Sequence, residues 1–241
     1  MEDQGKILLV FDLDHTILHK NSDSEISALF KDPDDDSIYS DDDEQVFWGD
    51  IMQRVFLRLK NDGVKLEQVK ALIQGLKLSK NFSDLFEFIR KKISRFDCII
   101  ISGANTLFIK WLIEKHKWED IFLDYYANPA EPNEEKLISI RNYHSHNCES
   151  CDGSQCKSIV LNDYLMKKNN PYRNVIYLGD GGNDYCPSKL LKESDLLFPR
   201  KKYRLYEMLF KKQKIKNLKC KVIPWENGLE IIEAIKINYF L

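Results

Sequence analysis

No stretch of this sequence approaches the roughly 20 consecutive apolar residues that a membrane span requires, so no transmembrane helix is expected. Excess positive charge is missing too: 36 Lys and Arg against 38 Asp and Glu leave a net charge of −2 and a pI near 6.2. That balance offers no global field for nucleic acid. The opening "MEDQGK" lacks a basic region followed by an apolar stretch, so no secretory signal is expected. Six cysteines in 241 residues are too few for a disulfide-built scaffold, and reduced thiols in the cytoplasm are the default expectation. There is no internal repeat. What remains is an ordinary composition, 43% hydrophobic and 12% aromatic. It suffices for one large α/β domain, or a core domain carrying a smaller insert.

Three short, apolar, β-rich segments read as buried parallel strands: "KILLVFD", "FDCIIISG" and "NVIYLGD". Between the last two lies "NTLFIKWLIEKH", where Leu107, Trp111 and Leu112 recur at helical spacing and Asn105 is placed to cap. Strands alternating with helices predict a doubly wound (Rossmann-like) parallel sheet, completed by a strand at "CKVIPW" and a helix at "GLEIIEAIKINYFL". Two stretches interrupt the alternation. Residues 21–78 hold no convincing strand; Phe47, Ile51, Val55 and Leu59 make one helical stripe stopped by Asn61 and Gly63, and "KLEQVKALIQGL" follows. This predicts a small helical cap inserted after the first strand, with a core of residues 1–20 and 79–241. A turn-rich Cys/His flap at about 127–157, "YANPAEPNEEKLISIRNYHSHNCESCDGSQC", is expected to hold a hairpin and a cysteine loop. The acidic runs Asp34–Asp36 and Asp41–Asp43 within residues 32–44 read as solvated loop.

Ligands of doubly wound sheets bind beyond the carboxyl ends of the strands. Here those ends carry Asp12 with Asp14, Ser102, and "GDGGND" with Asp180 and Asp184. Carboxylates gathered at buried strand ends lose hydration and repel one another, so something must offset the cost. Grouped hard oxygen donors favour Mg²⁺, and Gly181 and Gly182 are expected to let the backbone turn sharply toward a ligand. The set suits phosphoryl transfer: one carboxylate attacks phosphorus, and a second, two residues on, moves the proton. Charge on the transferring group calls for a further cation. Lys157 is well placed in the chain for that, although spacing alone does not select it.

The segments "VFDLDHTILHKNSD", "RVFLRLKNDGV", "FDCIIISGAN", "ANP", "HNCESCDGSQCK" and "YLGDGGNDYCP" resemble signatures of the haloacid dehalogenase-like phosphatase superfamily. The resemblance narrows to the branch of phosphoethanolamine/phosphocholine phosphatases and pyridoxal phosphate phosphatases, and it spans nearly the whole chain. It implies Asp12 as nucleophile, Asp14 as general acid/base, Ser102 as phosphate ligand and Lys157 as charge stabiliser. Asp12, the backbone carbonyl of Asp14 and Asp180 would hold Mg²⁺, with Asp184 in support. The helical insert would close over substrate. Relatives usually carry an acid directly after the second-motif serine, where this chain has Gly103. That acid, with the one matching Asp23, is thought to face the ammonium of amine-phosphate substrates. Asp23 has a second reading, as N-cap of the first cap helix.

The resemblance implies a phosphatase for small cytoplasmic phosphate monoesters acting through an aspartyl-phosphate, with pyridoxal 5′-phosphate or phosphoethanolamine/phosphocholine as first candidates. Pyrophosphate, thiamine monophosphate, and a phosphotransferase or mutase on the same scaffold are the alternatives. A small phosphate ester is thus the expected partner, with neither nucleic acid nor membrane; nothing indicates the oligomeric state. His144, His146, Cys148, Cys151 and Cys156 have the ligand types and spacing of a zinc loop. Three reduced thiols packed in a flap are the competing reading, and Cys98 and Cys186 read as packing residues. The basic, aromatic-containing "RKKYRLYEMLFKKQKIKNLKCK" reads as an amphipathic core helix rather than a nucleic-acid surface, because Tyr203, Leu205, Met208 and Leu209 share helical spacing.

Overall fold

In the computed structural model, residues 5–32, 47–148, 151, 153–168 and 172–240 are described. The acidic runs 34–36 and 41–43 lie outside them. In chain order the elements are β1 (Ile7–Phe11), α1 (Ser22–Glu25), α2 (Trp48–Asn61), α3 (Leu66–Gly75), α4 (Phe82–Lys91), β2 (Phe96–Asn105) and α5 (Thr106–His116). There follow β3 (Phe122–Asn128), β4 (Ala130–Asn133), β5 (Leu137–Ile140), α6 (Lys157–Lys167), β6 (Asn174–Gly179) and α7 (Tyr185–Ser188). The chain ends with β7 (Leu196–Pro199), α8 (Arg204–Phe210), β8 (Lys221–Val222) and α9 (Gly228–Tyr239).

Six strands form one sheet in the order β3-β2-β1-β6-β7-β8, and every neighbouring pair is parallel. This is the doubly wound α/β arrangement that the alternating pattern predicts. Side chains alternate between the two faces, as a pleated strand requires. Leu9, Phe11, Ile100 and Leu178 enter one apolar cluster with α2, α3, α4, α5 and α9. Leu8, Val10, Ile99 and Tyr177 enter the other, with Leu161 of α6 and Leu205 and Leu209 of α8. With both faces covered, β1 is apolar throughout and β2 and β6 carry apolar runs at their centres.

Chain order reverses across β1, which has β2 on one side and β6 on the other. Phe11 is level with both Ile100 and Leu178, so the residues just beyond these strand ends emerge side by side. That reversal is the place where such sheets open a crevice.

Several expectations shift in detail. The stripe of α2 is Met52, Val55, Phe56 and Leu59, while Phe47 is 45% exposed. Phe47 is the N-cap, with extended backbone (φ −73°, ψ 149°), so it lies outside the helix and off its buried face. The strand at "CKVIPW" shrinks to Lys221–Val222 at the sheet edge. Leu196–Pro199, a fully buried strand, has too few residues to show a period. Asn105 caps α5 as expected, accepting from Phe108 N at 3.0 Å. The basic stretch places Leu205 and Leu209 in the core, as its helical spacing predicts.

The turn-rich segment contains the antiparallel hairpin β4–β5, which packs on α2. Gln53 of α2 donates to Ile138 O at 3.0 Å and accepts from Ile140 N at 3.1 Å. The inserted stretch after β1 leaves and re-enters the core at one neck. Leu18 bridges Leu78, and Ser79 N donates to Ile17 O at 2.9 Å.

Candidate active site

Beyond Phe11 the backbone stays extended through Asp12 and then forms one wide turn, Leu13–Ile17, with His15 at φ 54°. A left-handed residue there turns the chain immediately after Asp14. Asp12 N donates to Leu178 O at 3.0 Å, which continues the β1–β6 ladder by one residue and fixes the carboxylate at the strand tip. Asp12 and Asp14 both line a cavity of about 200 Å³. Its other walls are Asn21, Asp23 and Trp48 from the insert, Ser102 to Ala104 from β2, and Asp180, Gly181 and Asn183 after β6. Sequence-predicted Asp12, Asp14, Asp23, Ser102, Gly103 and Asp180 therefore meet at one space.

Lys157 and Asp184 lie beneath that cavity. The Lys157 ammonium is 1% exposed and donates to Asp12 Oδ1 at 2.6 Å and Asp184 Oδ1 at 2.7 Å. Asp184 also accepts from Tyr177 OH at 2.9 Å, Asp180 N at 3.1 Å and Gly181 N at 2.9 Å. With four donors on this carboxylate, it braces Lys157 and the loop after β6. Gly179 makes room for it: a Cβ there would lie 2.5 Å from the Asp184 carboxyl. Thr16 Oγ1 donates to Asp180 Oδ1 at 3.3 Å, tying the turn after β1 to the tip of β6.

The electrostatics show what this set lacks. Burial pushes Asp180 up to about 9, and the charges of Asp12 and Asp184 add to it. Burial likewise raises Asp12 to about 7 against the pull of Lys157. Asp14 rises to about 7, by burial and then the charge of Asp23, although Ser22 N donates to its Oδ1 at 2.7 Å. Burial alone would lower Lys157, but Asp12 and Asp184 outweigh it and hold the ammonium above the usual lysine range. One ammonium thus faces several carboxyl groups. Asp12, Asp180 and Asp184 can each offer an oxygen within 4.8 Å of the others. Hard oxygen donors short of positive charge fit a small divalent cation.

Two predicted details are corrected. Asn21, not Asp23, caps α1, accepting from Ser24 N at 2.8 Å. Asp23 is instead 4% exposed on the cavity wall, where its Oδ2 accepts from Trp48 Nε1 at 2.7 Å while Oδ1 has no hydrogen-bond partner. Gly181, at φ −87°, needs no left-handed turn. It supplies room instead, since a Cβ would lie 2.6 Å from Asn183 Oδ1.

The zinc loop is also redrawn. The Sγ atoms of Cys148, Cys151 and Cys156 come together, but their fourth neighbour is Cys186, expected only to pack. His144 and His146 are not in that group; His144 Nε2 accepts from Cys156 N at 3.0 Å, and His146 Nδ1 accepts from Cys148 N at 3.1 Å. Sequence reasoning missed Cys186 and also Tyr177. A tyrosine in a buried strand needs a partner for its hydroxyl, and that signal pointed toward the acids after β6.

Comparison with known proteins places this geometry. The family model described as Putative Phosphatase matches residues 7–238. The pyridoxal phosphate phosphatase PHOSPHO2 of Mus musculus is 35% identical over 235 residues, covering 96% of this chain and 98% of that protein. The phosphoethanolamine/phosphocholine phosphatase of Homo sapiens is 32% identical over 231 residues, covering 94% and 86%. A substrate-bound phosphoserine phosphatase shares the fold with a TM-score of 0.66 at 14% identity, covering 96% of this chain and 99% of the other. The chain belongs to the Putative Phosphatase family, on the haloacid dehalogenase-like fold, and is a phosphoric monoester hydrolase.

Proposed function

We propose that the chain hydrolyses small, amine-bearing phosphate monoesters with Mg²⁺, through a phosphorylated Asp12. The observation that carries this is the buried Asp12–Lys157–Asp184 ion pairing at the strand tips, under a cavity that Ser102, Asp14 and Asp180 also line. Asp12 is the nucleophile. Its carboxylate oxygen bonds to phosphorus while the ester P–O bond breaks, and Asp14 gives its proton to the departing alcohol oxygen. Asp14 then takes a proton from water, whose oxygen attacks phosphorus and breaks the bond to Asp12. Ser102, 1% exposed and two residues past the last β1 pairing of β2, donates to a phosphoryl oxygen. Lys157 is held by two carboxylates, so its charge is in place before phosphate arrives and needs no reorganisation. Asp12, the carbonyl of Asp14 and Asp180 would hold Mg²⁺, which supplies positive charge against the phosphoryl oxygens.

The far wall bears on the substrate. Among the described residues the cavity lining has no lysine or arginine, which gives a second phosphate no cationic partner and disfavours pyrophosphate. Asp23, with one unpartnered oxygen, and Trp48 instead offer a carboxylate and an aromatic ring. Both suit a cationic leaving group, whether the pyridinium of pyridoxal 5′-phosphate or the ammonium of phosphoethanolamine or phosphocholine. The insert bearing them acts as the cap.

Phosphate release across these three esters, pyrophosphate and thiamine monophosphate, each with Mg²⁺ and with chelator, tests the proposal. Chelator-sensitive release from the amine-bearing esters is expected. Preference for pyrophosphate would overturn the substrate assignment, and release unaffected by chelator would overturn the metal. Turnover only in the presence of an added acceptor alcohol would make the protein a phosphotransferase.

A further inference from the structure

The sulfur cluster beside the active site has no part in the reaction above. Its four members come from distant places: Cys148 and Cys151 from the flap, Cys156 from the residue before α6, and Cys186 from α7. All four Sγ atoms lie within 4.8 Å of one another. Individual separations are 3.7 Å for Cys148–Cys151, 3.6 Å for Cys148–Cys186, 3.7 Å for Cys151–Cys156 and 4.0 Å for Cys156–Cys186.

These distances carry a specific geometry. A tetrahedron of sulfurs about 2.3 Å from a central Zn²⁺ has edges of about 3.8 Å. A disulfide would bring one pair to about 2.05 Å, and none of the six cysteines is in one. An iron–sulfur cluster needs its four cysteines splayed around several irons and inorganic sulfides, so it calls for a wider group. Cys156 is the N-cap of the 11-residue α6, so the start of that helix fixes its position. The backbone is braced at two of the four positions, because the amides of Cys148 and Cys156 donate to His146 and His144.

We propose that Cys148, Cys151, Cys156 and Cys186 form a tetrathiolate site for one structural Zn²⁺. With four protein ligands the site is closed, so the metal has no position for substrate. Its placement gives it a task. Cys156 directly precedes Lys157, and Cys186 lies two residues beyond Asp184. The ion would clamp together the two segments that present the buried ammonium and its carboxylate partner, and would tie the flap to both. The thiol cluster is independent of the substrate assignment, and metal content is read without any assay of hydrolysis.

The test is elemental analysis of the full chain purified without chelator. One zinc per chain is expected in the wild type. It should persist in Asp180→Asn, which alters the oxygen cluster, and fall several-fold in Cys186→Ser. Zinc that follows Asp180→Asn instead, stoichiometric iron, or no bound metal would each overturn the proposal. Should Cys186→Ser be insoluble, the wild type decides. Titration with p-hydroxymercuribenzoate should release zinc as four thiols react, and Co²⁺ in its place should show thiolate charge-transfer bands with intense tetrahedral d–d absorption. A cobalt spectrum without sulfur charge transfer would refute a thiolate site.

Discussion

The oxygen cluster and the sulfur cluster flank the same lysine but are assembled in opposite ways. Asp12 and Asp180 directly follow strands that are paired on both sides, so sheet register sets their spacing. Of the sulfurs, Cys148 and Cys151 lie in no helix or strand, whereas Cys156 directly precedes α6 and Cys186 lies in α7. In the oxygen cluster the scaffold is rigid and the charges are poorly balanced. The sulfur cluster has the loose scaffold, and the proposed ion would do the bracing there. A catalytic group needs a position fixed before the ligand arrives, whereas a structural site can be fixed by its own ligand.

The largest expected effect tests the oxygen side. Asp12→Asn should lower turnover by several orders of magnitude, since a neutral amide is a poor nucleophile, while circular dichroism stays native. Retained turnover would show that another group takes up the phosphoryl. Next, Lys157→Met strands two buried carboxylates, and breaking a buried pair in this way costs about 3–5 kcal/mol. Urea denaturation should show it, and a loss under about 1 kcal/mol would mean that the pairing is not the anchor of this region.

Asp23→Asn sharpens the comparison through pH. Burial raises the Asp23 carboxyl to about 6, against the hydrogen bond from Trp48. Between the ordinary aspartate value of 3.8 and about 6, the folded chain therefore binds this proton more readily than the unfolded one. Stability falls as pH rises through that window, and the whole penalty is present above it. The variant should gain on the order of 1–3 kcal/mol over the wild type near pH 7.5, a gain that vanishes toward pH 4. An equal difference at both pH values would show that Asp23 does not titrate there. Smallest is Gly103→Asp. The nearest atom to a Cβ at this position is Asn183 Nδ2 at 3.8 Å, an ordinary contact, so a side chain can begin there without a clash. Preference for phosphoethanolamine or phosphocholine, read as a ratio of kcat/KM values, should rise roughly tenfold. An unchanged ratio would place Gly103 away from the ammonium.

The sheet centre was legible because β1, β2 and β6 are apolar runs ending abruptly in Asp12, Ser102 and Asp180, and no other segment combines those features. Two other strands were not. Leu123 of the edge strand β3 is 59% exposed, and β7 is buried but only four residues long and ends in proline, so neither shows a readable strand period. At the site, the strand-tip acids could be read from spacing, whereas Lys157 was picked out only by resemblance. It lies in the first turn of a helix, and its carboxylate partners are brought to it by tertiary packing. The same holds for Cys186: a motif of local spacing shows three thiols, and the fourth arrives from α7.

The neck where Leu18 bridges Leu78 has a consequence for how such a protein changes over time. The chain departs from the strand-tip turn and comes back to the same spot, so everything between behaves as a closed excursion. Lengthening or trimming that excursion costs little loop-closure entropy and leaves the register of β1 against β2 and β6 untouched. On the proposed reading of Asp23 and Trp48 as substrate-facing, substrate choice can therefore be revised without disturbing the strand-tip groups.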